Sequence, residues 1–395
     1  MTGRVGALRE RLRAMSDASR AEGGAHVLAC LKAVVSGGPL PREEPENWTA
    51  AARAHDVLPL IASLYARHGR ALPGEAQTAR REALVAELTA CGDLHRVATA
   101  LDGIGIRWVL MKGPILSQRF YNVLGLVRGF SDLDILVHPR DFADVLDVLD
   151  RSGANAWDRD WTLMRRRGRG EMSWILQDGT RLDLHWDLVN LPGQRRRLQF
   201  DAGGMLTRRQ STVLEGSVAV PALEDLDMIV HLAVHACLAG GHRLRWVMDI
   251  QRVLSQLAPD PQELAARAQA HGAELPTAVL IQHAATWLDP ELEPYAMALA
   301  GPRVWQRWAK TWSRRHPPSA WEGGRGSGQW LFQSTRDTSM ASAAAGLRQG
   351  IDALAYRARS AVVSGPRVDG ALLLNRPRGG PAARAAYLSF IQRHS

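Results

Sequence analysis

The hydrophobic period of this chain changes twice, and those two changes constrain its fold more than any other feature. From about His26 to Gly103, Leu, Ala and Val recur at three- and four-residue spacing (VLACLKAVV, VLPLIASLYARHG, LVAELTACGDLHRVATALDGIG), the pattern of amphipathic helices. Between Ile106 and about Leu191 the apolar residues alternate instead, as in strands. After Pro221 the helical spacing returns in LEDLDMIVHLAVHACLA and LRWVMDIQRVLSQL. The expected architecture is an α/β core between helical regions.

Within the alternating block, RWVLMKG reads as a short buried strand ending at Gly113, with Pro114 suited to the first turn of a following helix. The next stretch, RGFSDLDILVHP (residues 128–139), puts Leu133, Ile135 and Val137 on one face and Asp132 and Asp134 on the other. Two like charges this close raise the cost of ionising both unless a cation shares them. A solvated edge strand is the alternative that this stretch alone leaves open. PRDFADVLDVLDRSG then predicts a helix with an apolar stripe at Phe142, Val145, Leu146 and Leu149. In EMSWILQDGTRLDLHWDL, Asp178-Gly179 between two alternating segments signals a hairpin. Its second arm carries Leu182, Leu184, Trp186 and Leu188 on one face and Asp183, His185 and Asp187 on the other.

At 395 residues and 46% hydrophobic content the chain has room for two or three folded domains. The expected division is a disordered N-terminus over 1–24, a helical region over 25–103, a core over 104–215 and a second helical region over 221–316. A linker containing PPSAWEGGRGSGQ and a partly helical tail with NRPRGGP turns fill 317–395. No apolar run approaches the ~20 residues of a membrane span, and MTGRVGALRERLRAMSD lacks the apolar centre of a secretory signal. A cytoplasmic protein with no membrane partner is the default expectation. Cys30, Cys91 and Cys237 form no CxxC pair, so buried thiols are expected rather than disulfides or a thiolate zinc site. The net charge of +9 is almost wholly arginine, the lysines being Lys32, Lys112 and Lys310. RRRGR (165–169) and RRR (195–197) are either solvated loops or sites that attract a polyanion.

Four segments occur in a telling order: VLMKGPILSQRFY, RGFSDLDILV, RLDLHWDL and HLAVHACLAGGHRLRWVMDI. From about residue 50 to 255 the chain resembles nucleotidyltransferase-like proteins of the DNA polymerase β superfamily, in particular a bacterial group with an LKG…RxxxDxDLLV…DLHW pattern. The resemblance implies a polymerase β-like α/β (α+β) nucleotidyltransferase core with helical N- and C-terminal regions. It implies that Asp132, Asp134 and Asp183 form the catalytic, metal-binding site, with two Mg²⁺ ions for which Mn²⁺ can substitute. Hard oxygen ligands suit these ions, and paired ions stabilise both the attacking and the leaving oxygens of a displacement at phosphorus. Asp183 is then placed to orient or deprotonate the acceptor hydroxyl. The implied reaction moves a nucleoside monophosphate, AMP by default, from an NTP such as ATP to a hydroxyl acceptor and releases pyrophosphate. The acceptor, whether protein, small molecule, modified peptide or RNA, has no legible motif.

The chain departs from the superfamily at the first glycine turn. Where many members carry Gly-Ser, it has Met111-Lys112-Gly113-Pro114. A helix N-terminus still offers amides to phosphate, and Lys112 adds a point charge, so Lys112 and Gly113 are the nucleotide-binding candidates. Arg128 is a second phosphate candidate, with a salt bridge in its own loop as the alternative. His231 and His235 are spaced i, i+4 and raise a rival class, a zinc hydrolase, but Leu232 stands where HExxH needs its glutamate. Packing of the helical region, or a substrate-facing role, suits them better; His185 shares the strand face of Asp183. A non-catalytic nucleotide-binding or antitoxin-like regulator is the alternative of a different class, though binding alone does not need three carboxylates.

Overall fold

The alternating stretches pair into a seven-stranded mixed sheet. Its strands are β1 (Trp108–Leu110), β2 (Asp132–Val137), β3 (Asn155–Ala156), β5 (Glu171–Ile175), β6 (Arg181–His185), β7 (Gln210–Leu214) and β8 (Val218–Ala222), ordered β3-β5-β6-β2-β1-β8-β7. The computed structural model describes residues 17–299 apart from 191, 215–217 and 242, together with 344, 347, 374–378 and 380–393. Pairs β2–β6 and β1–β8 are parallel, and the other neighbours in the sheet are antiparallel. Leu110, Leu133, Ile135, Trp174, Leu182 and Leu184 are buried on one side of the sheet, the dry side expected from the alternation.

The Asp178-Gly179 hairpin forms, and its geometry sets the register of the centre of the sheet. Leu176 N–H donates to Thr180 O at 2.8 Å and Gly179 N–H to Leu176 O at 3.1 Å, with Gly179 at φ +89. This is a three-residue loop closed by a glycine in the left-handed region. It sets Ser173 opposite Asp183 and Glu171 opposite His185. On the other side of β6, Asp183 lies opposite Asp134 and Arg181 opposite Asp132.

Three sequence expectations are corrected here. The face shared by Asp183, His185 and Asp187 stops at His185: the amides of Trp186 and Asp187 both donate to Gly170 O, the chain bends, and Asp187 pairs with Arg195 Nε at 2.9 Å. The sheet runs past residue 215, because β8 returns beside β1 with Leu110 opposite Ala222. The NRPR segment is part of β9 (Leu374–Arg378), which pairs in parallel with β4 (Asp158–Asp160), rather than a turn. Proline is tolerated in such a marginal two-stranded ribbon.

The helices, in chain order, are α1 (Asp17–Ser36), α2 (Trp48–Ala54), α3 (Leu58–Arg67), α4 (Gly74–Gly103), α5 (Pro114–Leu116), α6 (Phe142–Arg151), α7 (Trp161–Arg167) and α8 (Ala202–Arg208). They continue with α9 (Asp225–Leu238), α10 (Leu244–Leu257), α11 (Pro261–Ala270), α12 (Glu274–Trp287), α13 (Glu293–Ala298) and α14 (Gly380–Gln392). Helix α1 takes in residues 17–24 of the segment expected to be disordered, while 1–16 lie outside the described residues, as does the 317–329 linker. In α6 the predicted stripe Phe142, Val145, Leu146 and Leu149 is buried. No helix among the described residues is long and apolar enough to cross a membrane.

The chain divides into two compact units, Met1–Val57 with Ile229–Leu372 and Leu58–Met228 with Leu373–Ser395. In the helical unit, α10 packs on α12, and the Arg245 amide donates to His55 O at 3.3 Å. In the sheet unit, the end of the chain packs on α7. Tyr387 lies 5.9 Å from the Trp161 ring, Phe390 meets Trp186 edge-on at 6.3 Å, and Arg384 pairs with Asp147 at 2.5 Å. Trp186 directly follows the strand that carries Asp183 and His185, so α14 buttresses it. Truncating the buried Tyr387 to Ala will therefore destabilise the sheet unit by about 3 kcal/mol, read as a lowered midpoint in urea. An unchanged midpoint would mean that α14 contributes nothing to the core.

Carboxylate cluster as candidate active site

Four adjacent strands build one polar patch on the sheet. β2 carries Asp132 and Asp134, β6 carries Arg181, Asp183 and His185, β5 carries Glu171 and Ser173, and Lys112 follows β1. Because neighbouring strands are in register, the side chains on this face stack in rows. One oxygen each from Asp132, Asp134 and Asp183 all fall within 4.8 Å of one another. Among the described residues, this is the group of three or more side chains placed to share a metal ion. Asp134 and Asp183 are buried and Asp132 is half-buried.

The glycine turn is anchored to the same place. Met111 N–H donates to Asp134 O at 2.9 Å, and Gly113 follows at φ +66. A Cβ on Gly113 would stand 3.1 Å from the backbone oxygen of Asp132, so only glycine lets the turn pass this close to β2. Pro114 occupies the first turn of α5, as expected.

Each carboxylate has a cationic partner. Lys112 Nζ lies 3.1 Å from Asp134 Oδ2, and His185 Nε2 lies 3.2 Å from Asp134 Oδ1. A single nitrogen of Arg181, Nη2, sits 2.9 Å from Asp132 Oδ2 and 2.7 Å from Asp183 Oδ2. Ser173 Oγ donates to Asp183 Oδ1 at 2.5 Å. Glu171 accepts from Asn190 Nδ2 and lies 3.8 Å from His185 Nε2.

The electrostatics follow from this packing. Burial, and then the charge of Asp134, raise the pKa of Asp132 above the usual carboxylate range, although Lys112 and Arg181 oppose the shift. Burial raises Glu171 as well. Burial would by itself lower His185, but its hydrogen bond to Asp134 and the charge of Glu171 prevail and push it up to about 9. This favours the protonated form of His185, whose Nε2 faces Asp134 Oδ1.

The structure therefore brings together Asp132, Asp134, Asp183, Lys112, Gly113 and His185. Arg128 is buried on a loop that α3 holds through Val127 N–H donating to Ser63 Oγ at 3.2 Å. His231 and His235 belong to the helical unit, where their rings lie 6.1 Å apart and His235 meets Trp246 edge-on at 6.3 Å. Of the arginine runs, Arg165, Arg166 and Arg167 close the last turn of α7, where cations suit the helix dipole. Arg195 is structural: it stacks 4.3 Å over Trp186 and pairs with Asp187. The thiols of Cys30 and Cys237 are buried and that of Cys91 is partly so; none of the three is in a disulfide.

Glu171, Ser173 and Arg181 are site residues that sequence reasoning missed. Their signal was available, since a hairpin with a three-residue loop centred on Asp178 puts all three on the Asp183 face. A two-residue loop would have turned Glu171 and Ser173 away.

Over residues 41–289, more than half of its length, the chain matches a family described as an uncharacterised nucleotidyltransferase. The chain belongs to this family, and its mixed sheet with flanking helices is the corresponding nucleotidyltransferase fold. No curated protein matches it.

Proposed function

We propose that this protein is a metal-dependent nucleotidyltransferase that moves a nucleoside monophosphate, AMP by default, from an NTP to a hydroxyl acceptor and releases pyrophosphate. The observation that carries the reading is the convergence of Asp132, Asp134 and Asp183 beside the Gly113 turn. Three hard carboxylate oxygens, each drawn to a positive nitrogen of Lys112 or Arg181, suit Mg²⁺ or Mn²⁺. Asp132, Asp134 and Asp183 would hold the metal, which when bound supplies charge stabilisation for the transferring phosphoryl group.

The protein's own groups account for the rest. The Gly113 turn offers amides, and Lys112 and Arg128 offer charge, to the triphosphate. Asp183, held through Ser173 on one oxygen, orients the acceptor hydroxyl and takes its proton. His185 and Glu171 are positioning residues that fix the carboxylate of Asp134.

The test is incubation of the pure protein with each α-labelled NTP and Mg²⁺, with and without cell extract, followed by assay for label transfer and pyrophosphate. Transfer that disappears in Asp183→Asn supports the reading. Nucleotide binding without pyrophosphate release from any NTP would favour the non-catalytic regulator. A finer prediction concerns the support of Asp183: Ser173→Ala will fold normally yet lower turnover about tenfold, the usual effect of removing a partner that orients a metal ligand. Steady-state kinetics at saturating NTP decides this, and wild-type turnover would remove Ser173 from the site.

A further inference from the structure

The carboxylates of this site are neutralised from within, and the manner of it has a consequence for how ligands enter. Arg181 Nη2 bridges Asp132 and Asp183 at 2.9 and 2.7 Å, a positive centre between two oxygens of the group that could share a metal ion. The side chain of Arg181 is 42% exposed, and its long stem can swing out without disturbing β6. Lys112, 13% exposed, holds Asp134 in the same way. His185 differs, being short and buried, so it stays with Asp134 whatever binds.

We infer that Arg181 is a counter-ion switch that couples divalent-cation binding to triphosphate binding. This rests on the reading that Asp132, Asp134 and Asp183 hold a divalent cation. A cation arriving alone must displace the Arg181 guanidinium from two carboxylates. A triphosphate arriving alone meets the field of those carboxylates and finds Arg181 already engaged. Arriving together, the two ligands exchange partners with the protein: the carboxylates take the cation, and the released guanidinium takes phosphate oxygens, for which its planar fork is suited. Each ligand thereby strengthens the binding of the other, and by linkage the factor is the same in both directions.

The experiment measures Mn²⁺ binding to the full-length protein from the paramagnetic resonance of free Mn²⁺, with and without a non-hydrolysable ATP analogue. Wild type, Arg181→Met, Arg181→Lys and Asp134→Asn are compared. Arg181→Met should bind Mn²⁺ alone about tenfold tighter than wild type, while the strengthening produced by the analogue falls by about the same factor, within the range typical of coupled sites. Arg181→Lys keeps the charge with a shorter reach and should fall between them, and it carries the comparison if Arg181→Met does not fold. A purely structural role would weaken both affinities together. Mn²⁺ binding that Asp134→Asn abolishes but that Arg181→Met leaves unchanged or weakens overturns the switch alone. Mn²⁺ binding that Asp134→Asn leaves intact, or absent from wild type even with the analogue, overturns the metal reading and the switch with it.

Discussion

Replacing Asp134 by Asn will lower nucleotidyl transfer a thousandfold or more, on the order of the loss expected when preorganised charge stabilisation is removed, and will also destabilise the protein. The two effects have separate causes. The first comes from losing a proposed metal ligand. The second arises because Asp134 is the shared counter-charge of Lys112 at 3.1 Å and His185 at 3.2 Å. An amide can accept a hydrogen bond from them but cannot neutralise them, which costs about 1–3 kcal/mol.

Asp132→Asn should lose transfer as completely, yet melt at or above the wild-type temperature in the presence of a chelator. Burial and the charge of Asp134 already disfavour the ionised form of Asp132, so the neutral amide relieves more than it removes. The sequence alone treats the two aspartates as equivalent like charges whose removal relieves repulsion. Thermal melts of both variants in chelator, set beside turnover at saturating Mg²⁺, decide between the two descriptions. Near wild-type turnover in either variant would overturn the metal assignment, and a raised melting temperature for Asp134→Asn would overturn the electrostatic one.

The second large effect is expected at the glycine turn, where this chain has lysine in place of the usual serine. Lys112→Ala should weaken ATP binding roughly ten- to hundredfold, as expected for one charge-assisted hydrogen bond to phosphate, and leave adenosine binding nearly unchanged. The contact with Asp134 places the ammonium within reach of the turn at Gly113 and gives it a resting partner. Lys112→Arg is expected to restore little, because a wide planar fork does not replace a compact ammonium in this turn. Calorimetric titration with ATP, ADP and adenosine in Mg²⁺ separates the possibilities. Equal losses for all three ligands would mean that Lys112 acts only through the fold, and unchanged ATP affinity would leave it a structural ion pair with Asp134.

Sequence by itself determined the parts of this protein whose physics is local. Alternation in SDLDILV put both aspartates on one face, the Asp-Gly pair marked the hairpin, the three- and four-residue spacing marked α6, and Pro114 marked the start of α5. The glycine turn was legible for the same reason. Each of these signals lies within a few residues, where backbone sterics and side-chain periodicity act directly. That Asp183 joins Asp132 and Asp134 is not such a signal; it followed from the resemblance of the four ordered segments to nucleotidyltransferase-like proteins. What the tertiary structure alone decided are the pairings between distant segments. The hairpin loop took three residues, and that single choice brought Ser173 and Glu171 to the site. β8 joined β1 across more than a hundred residues, and α14 returned from the end of the chain to support Trp186. Arg195, in a run that reads as solvated or polyanion-binding, became a stacked partner of that same tryptophan. None of these has a local signature, because strand register and long-range docking are settled by which buried faces fit together once the chain has closed its loops.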